Sequence, residues 1–573
     1  MSDPNLPPIN QESNEEQKSG NMYSYNEDVS NSNNQKGFEN GGAIRRSLGE
    51  GNPNADFAPQ NYNNEIKRNT INNEPVKIVN SQYYDNNNEN YSFNSILNWV
   101  FCMIFIIIET ILILFIGLVF KYDMRLKPEF SPVKDKTEII EELENAAGYD
   151  FDTYYGIFRD INIMVFIGFG MLHTLYTNYA KTSISINILA IALSVQIGLI
   201  SNSLWENAFK EKWRYGIINF IAYIKAIMNA STLIVSLGCV LGKLSFIQYL
   251  IMIIVETIIS SLNFQLCHVK LKTIDTGGSL YVHTFGTIFG IAIYMVFFCS
   301  SKMKNTLKNF SSYNTSNYFS NVTSFIGVLF LWAYFPSFNC ALAMNDKTRY
   351  YVIISTYFSL TGSLATTFIA SALFNKGRFV IEQILFASFS GGVIISGCCS
   401  VCIDHWAALL LGCLSGIITV TFLQYVKPFF IKWGFDDFFN VIIIHGIPGI
   451  LGALITPMMI SGINSRRKDE LNDFIIDDKR EHGPQAGIQI CSIFITVGLS
   501  FISGIATGYL MKVSSCGKIV NYFKDIEFFE DEENGENQVN FINMNTRPPS
   551  LKNNLEYNQK SFENRASQPS YNY

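Results

Sequence analysis

Apolar residues in this chain gather into runs of twenty or so, with polar residues collected between them. The runs cover 95–120, 157–176, 183–204, 216–241, 244–267, 276–300, 318–344, 348–374, 379–400, 405–425, 438–460 and 485–511. A helix needs about 20 apolar residues to cross the hydrocarbon core of a bilayer, so each run predicts a spanning helix. The outer stretches read differently. Residues 1–92 are rich in Asn, Glu, Ser, Gly and Pro, and residues 513–573 are polar with an acidic run at 529–533. Such compositions bury too little apolar surface to fold and predict disordered tails. The expected organisation is an Asn-rich tail (1–92), a twelve-helix membrane domain (93–512) and an acidic tail (513–573).

Composition agrees with a polytopic all-α membrane protein: of 573 residues, 48% are hydrophobic and 14% aromatic. The net charge of −6 carries little information, because the tails supply much of it. Eleven cysteines fall in no regular framework, and the CxxC at Cys399 and Cys402 has no second pair beside it. Small polarisable residues at a helix end account for it better than zinc or redox chemistry. No cofactor, metal, nucleic-acid partner or enzymatic activity is expected. An even number of spans puts both tails on one side. The basic residues of the short loops number about nine on one side and about twelve on the other, which does not orient the chain. A cytosolic placement rests on the difficulty of exporting a long polar N-terminal tail without a signal. The expected location is the plasma membrane or an internal vacuolar membrane.

Two stretches carry the candidate chemistry. Asp275 precedes His283 by eight residues (283 − 275), and Asp437 precedes His445 by eight (445 − 437). Both histidines lie inside apolar runs, where ionisable groups are costly and become functional candidates by default. The two runs are the sixth and the eleventh, five apart, so they cross the membrane in opposite directions. Equivalent motifs on oppositely directed helices predict an inverted five-helix repeat, runs 2–6 and 7–11, around a central pore near the midplane.

A neutral imidazole carries one donor and one acceptor nitrogen. Two buried imidazoles that bond to each other fix both tautomers, reduce the desolvation cost of each and leave one nitrogen facing outward on each side. A small uncharged hydrogen-bonding molecule can pass along such a line. A bare cation faces an idealised transfer cost of order 20 kcal/mol. A metal pair is the rival reading, but the aspartates lie about 12 Å of helix from their histidines. Each aspartate instead suits capping of the helix that follows it. His173, His268, His405 and His482 share no such frame and read as structural or loop residues. The aromatic stretch 332–339 offers a ring, Phe338, that attracts a cation through its face. Glu109 and Glu256 interrupt their spans without an evident partner.

Taken together, Asp275-Thr-Gly-Gly-Ser with Val282-His-Thr-Phe-Gly286, Trp332 through Pro336-Ser-Phe-Asn339, and His445-Gly-Ile-Pro-Gly-Ile450 resemble the ammonium transporter superfamily. Within it they look like the Rhesus glycoprotein branch, supported by Val165-Phe-Ile-Gly-Phe-Gly170 and Val240-Leu-Gly-Lys243. The resemblance extends through nearly all the spans and leaves out the tails. It implies a homotrimer with one pore per subunit, His283 and His445 as paired pore histidines, and Phe338 as the inner member of a phenylalanine gate. It implies Asp275, Asp437 and Asn339 as supporting residues. Thr232 stands where the family's outer gate phenylalanine is expected and gives no π face. The implied cargo is ammonium drawn to the mouth, with ammonia crossing; methylammonium and carbon dioxide are further candidates. The alternatives are a carbon dioxide channel on the same scaffold and a transport-inactive membrane scaffold.

Overall fold

The computed structural model describes residues 80–122, 151–211, 213–298, 315–343, 345–402, 404–433, 435, 437, 439–462, 480–513, 525 and 529. Residues 1–79 of the expected tail 1–92, the basic loop residues Lys302, Lys304, Lys308, Arg466, Arg467, Lys468 and Lys479, and nearly all of 514–573 lie outside the described residues.

The protein is an all-α polytopic membrane protein. Among the described residues, eleven helices are long and apolar enough to cross a bilayer. In chain order the helices are α1 (Asn80–Val119), α2 (Phe151–Asn162), α3 (Ala180–Lys210), α4 (Phe220–Val240), α5 (Phe246–Phe264) and α6 (Phe285–Phe298). They continue as α7 (Tyr318–Cys340), α8 (Asp346–Phe374), α9 (Ile381–Ala387), α10 (Ser390–Ile395), α11 (His405–Thr421), α12 (Lys427–Lys432), α13 (Ile447–Gly462) and α14 (His482–Val513). α1 begins at Asn80, ahead of the boundary expected at 93.

The run at 379–400 forms no long helix. It folds as α9 and α10, interrupted at Ser388 and Phe389, and then as turns. The sequence Ser388-Phe-Ser-Gly-Gly392 explains the break. Ser390 and Gly391 pack on α8, where Ser363 Oγ lies 3.1 Å from Ser390 Oγ and Ser359 Oγ donates to the Gly391 carbonyl at 2.7 Å. Close packing of small residues replaces length here.

The remaining helices enclose one large apolar core that joins the fourth, sixth, seventh and tenth helices to the histidine segments. α8 packs on α11, α14 on α6, and α3 on α4 and α5. α1 lies at the edge of this core: Leu112 is buried in it and Phe101, Ile104, Phe105 and Ile108 pack against it, while its other face is exposed, Leu118 at 77%. It is tied by Gln196 Nε2, which donates to Glu109 Oε1 at 3.1 Å, giving that span's acid a partner. A short parallel ladder, β1 (Phe120–Tyr122) on β2 (Gly216–Ile218), fixes its end with Phe120 opposite Gly216. Asp525 caps the other end of α3, accepting from Lys181 N at 2.8 Å, Thr182 N at 2.9 Å and Thr182 Oγ1 at 2.7 Å.

Candidate functional site

Each histidine sits at the end of a short π-helical turn, Ser279–Thr284 before α6 and Ile442–Gly446 before α13. Such widened turns concentrate at functional sites. The two turns are built alike, residue for residue, at an offset of 162. Gly278 N donates to the Asp275 carbonyl and Asn440 N to the Asp437 carbonyl, each at 3.1 Å. Gly278 and Asn440 both take left-handed backbone, with φ of 81° and 54°. Glycine and asparagine are the residues that tolerate it. Asp275 Oδ2 then accepts from Leu280 N at 2.8 Å and Tyr281 N at 3.2 Å; Asp437 Oδ2 accepts from Ile442 N at 2.9 Å. The aspartates are thus caps, as their place before the helices predicts.

Both aspartates precede their spanning segments, and both keep one buried oxygen, Oδ1, without a partner. Burial pushes the Asp275 carboxyl up to about 7, against the pull of the Leu280 and Tyr281 N–H groups. Burial also raises Asp437, to about 6, with the Ile442 N–H and the Lys243 and Lys427 ammoniums pulling it down. The Asp437 turn is braced from outside: Glu382 of α9 accepts from Asn440 Nδ2 at 2.9 Å and pairs with Lys427.

The two segments meet antiparallel. A Cβ on Gly446 meets Thr287 Cγ2 at 2.7 Å, one on Gly449 meets His283 Cβ at 3.1 Å, and one on Gly452 meets Ser279 Oγ at 2.9 Å. Position numbers rise along one segment as they fall along the other, as an inverted repeat requires. Ser279 Oγ donates to the Gly449 carbonyl at 2.6 Å across the crossing. Within the widened turn, Thr284 and Thr287 hydroxyls donate back to the Ser279 and His283 carbonyls at 2.8 and 2.7 Å, which satisfies oxygens left by the turn. Pro448 falls directly after the π-helical turn, at the second position of α13 within the continuous span Ile442–Gly462.

At the crossing His283 Nδ1 and His445 Nδ1 lie 3.2 Å apart, with rings 5.1 Å between centroids and 16° from parallel. Both side chains are buried. The surroundings are phenylalanine on both flanks. Phe335 and Phe338 lie 6.2 and 6.3 Å from the His283 ring, and Phe389 and Phe169 lie 6.0 and 6.1 Å from the His445 ring. His283 Nε2 is buried with no partner. Since the Nδ1 atoms are spent on each other, the outward nitrogens are the two Nε2 atoms.

Asn339 of α7 binds the neighbouring elements together: its Nδ2 donates to Thr356 Oγ1 at 3.1 Å and to the Gly392 carbonyl at 3.2 Å. Its Oδ1 lies where a Cβ on Gly277 would stand, so it abuts the start of the Asp275 turn. Thr232 is buried in α4, and its hydroxyl lies 3.1 Å from both the Met228 and Tyr281 carbonyls. It joins α4 to the first histidine turn. Glu256, the other unexplained acid, accepts from Ser236 Oγ between α5 and α4.

Of the other histidines, His268 stacks on Phe264, His405 lies near Phe358 and His482 begins α14. His173 is different. It lies with His445 on a cavity of about 10 Å³ walled by Phe169, Phe386, Phe389 and Phe439, close to the threshold of ~10–15 Å³ for one water molecule. Nothing in its local sequence marks it beyond its place at the end of an apolar span. Among the described residues, no group of three metal-ligating side chains is assembled.

The chain as a whole is similar to known proteins. Residues 150–519 match the model of the Ammonium Transporter Family. The chain is 28% identical over 469 residues to ammonium transporter Rh type C of Canis lupus familiaris, covering 80% of this chain and 99% of the relative. It is 30% identical over 408 residues to ammonium transporter Rh type A of Bos taurus, covering 71% and 88%. In fold it is similar to Nitrosomonas europaea Rh50, with a TM-score of 0.57, 23% identity, and coverage of 68% of this chain and 96% of that one. The chain belongs to the ammonium transporter family, in its Rhesus branch.

Proposed function

We propose that this protein is an ammonium transporter that conducts neutral ammonia through a pore lined by His283 and His445. One observation carries the reading: two buried imidazoles joined Nδ1 to Nδ1 at 3.2 Å within walls of phenylalanine. Such a line offers hydrogen bonds to a small neutral molecule and no counter-charge to a cation, whose idealised transfer cost is of order 20 kcal/mol. Ammonium therefore gives up its proton before entry, and the histidine pair is the route by which the proton or the base is handed on. The names of the relatives, ammonium transporters of Rh types A and C, support the cargo.

Phe338, one turn from Phe335 and facing His283, serves as the inner gate ring. Thr232 takes the outer position, and its hydroxyl holds α4 to the Tyr281 carbonyl where an aromatic plug is otherwise expected. The functional unit is a homotrimer in the bilayer, with the tails in the cytosol. An intact histidine pair argues against a transport-inactive scaffold, and a line of hydrogen-bonding nitrogens serves ammonia better than carbon dioxide, which has no N–H or O–H to donate.

The test is methylammonium or ammonium uptake by the full chain in a transport-deficient cell, beside His283→Ala and His445→Ala. Uptake by the wild type and its loss in both variants is expected. Wild type that moves no ammonium, or variants that match it, sinks the reading. Carbon dioxide permeability without ammonium uptake selects the gas channel instead.

A further inference from the structure

The cavity beside His445 holds a histidine that the paired-histidine reading does not use. His173 is buried at the end of the span Thr153–Leu172, its ring 4.5 Å from Phe439 and 6.1 Å from Phe169. Asn187 Nδ2 of α3 lies 2.8 Å from His173 Nδ1. With the amide nitrogen on this side Asn187 donates, so His173 Nδ1 accepts and the ring proton sits on Nε2. That Nε2 reaches within 4.0 Å of the Cβ position of Gly238, against which Val441 packs, and Val441 lines the cavity. His445 has also committed its Nδ1, to His283, and lines the same cavity. The space between them, about 10 Å³, is at the lower limit for holding one water or ammonia molecule.

We propose that His173 is a third station of the pore, offering an Nε2–H donor across a one-molecule cavity from His445 to a small neutral base, ammonia or water. The inference rests on the proposed conduction of ammonia and adds to it a site after the histidine pair. The donor suits a lone pair. Ammonium has four N–H donors and no lone pair, so it finds no partner in that N–H, and the walls other than the two histidines are apolar. Asn187 is the positioning residue: it holds the tautomer and leaves its own Oδ1 without a partner.

The experiment reconstitutes the full chain in liposomes and follows internal pH after an ammonium gradient is applied. It compares wild type with His173→Gln, His173→Asn and His283→Ala, and records the melting temperature of each. Glutamine places an amide N–H near the position of Nε2, whereas asparagine keeps a polar atom near Nδ1, beside Asn187, and withdraws from the cavity. The expected result is near-wild-type flux in His173→Gln and a fall of roughly threefold to tenfold in His173→Asn, the weight of one hydrogen bond. The melting temperatures should not follow that order. Equal flux in the two variants, or a greater loss in His173→Gln, overturns the third station. If His283→Ala abolishes flux while His173→Asn matches wild type, the paired-histidine reading stands and this one falls. Wild type without flux above empty liposomes ends both.

Discussion

Gly286 is the position where one added methyl group should be felt most clearly at the histidine pair. It lies three residues after His283, and a Cβ there would stand 2.5 Å from the Thr232 carbonyl oxygen and 3.1 Å from Val235 Cβ. A carbon–oxygen contact relaxes to about 3.3 Å, so Gly286→Ala asks α6 to leave α4 by about 0.8 Å (3.3 − 2.5). Retreat is blocked on the other side, where Thr287 packs on Gly446. The histidine bond at 3.2 Å has little slack; an unrelieved displacement of about 0.8 Å takes it to about 4.0 Å, beyond hydrogen-bonding reach. Overpacking costs roughly 1–3 kcal/mol, and the orphaned imidazole nitrogen roughly 1–3 kcal/mol more if the bond opens. Gly498→Ala is the control, since a Cβ there meets nothing within 4 Å and alanine in a helix interior gains about 0.5–1 kcal/mol. Melting in detergent and ammonia flux in liposomes should both fall for Gly286→Ala and not for Gly498→Ala. Wild-type stability and flux in Gly286→Ala would refute the claim that helix spacing at α4 sets the histidine geometry.

Two further predictions concern the caps. The Asp275 carboxyl sits at about 7 in the folded chain against an ordinary 3.8, so folding takes up a proton. Its contribution is full below about pH 4 and is lost as pH rises through about 7, on the order of a few kcal/mol. Asp437, raised to about 6, acts in the same direction. Asp275→Asn keeps an amide oxygen for the Leu280 and Tyr281 N–H groups and does not titrate, so its melting temperature should fall less steeply from pH 5 to pH 8; a slope equal to wild type contradicts this. Asp525→Ala should cost about 0.5–2 kcal/mol, the usual worth of an N-terminal cap, and speed hydrogen exchange at the Lys181 and Thr182 amides. Unchanged exchange there would mean the cap is not made in solution.

Much of this architecture was legible in the sequence because a bilayer imposes run length on every spanning helix. The segment 379–400 misled on length: its composition is apolar enough, yet Gly391 and the serines pack too closely on α8, and Gly392 on Phe335 of α7, to need a full span. The Asp-x7-His frame was legible because both copies carry the histidine and, eight residues before it, its capping aspartate. The equivalence of Gly278 and Asn440 was not, since two different residue types meet the same positive φ. Thr232 and His173 show a different limit. The partner of the Thr232 hydroxyl is a carbonyl 49 positions away, and His173 meets the site only because Phe169 and His173, beyond the end of α2, pack on His445 and Phe439. Neither relation leaves a local spacing to read.

The bond between the two imidazoles has a direction even though the fold around it is two-fold. Whichever ring gives the Nδ1 hydrogen has a bare Nε2, and the ring that receives it carries hydrogen on Nε2. The outward ends of the pair are therefore always unlike, one a lone pair and the other an N–H. A neutral molecule passing along the line leaves that arrow as it found it. A proton passing through the pair reverses it, and the next proton in the same direction must wait until both rings have turned over or exchanged hydrogen with their neighbours. On the proposed route, the geometry thus makes the pair indifferent to the history of neutral traffic and attentive to the history of proton traffic.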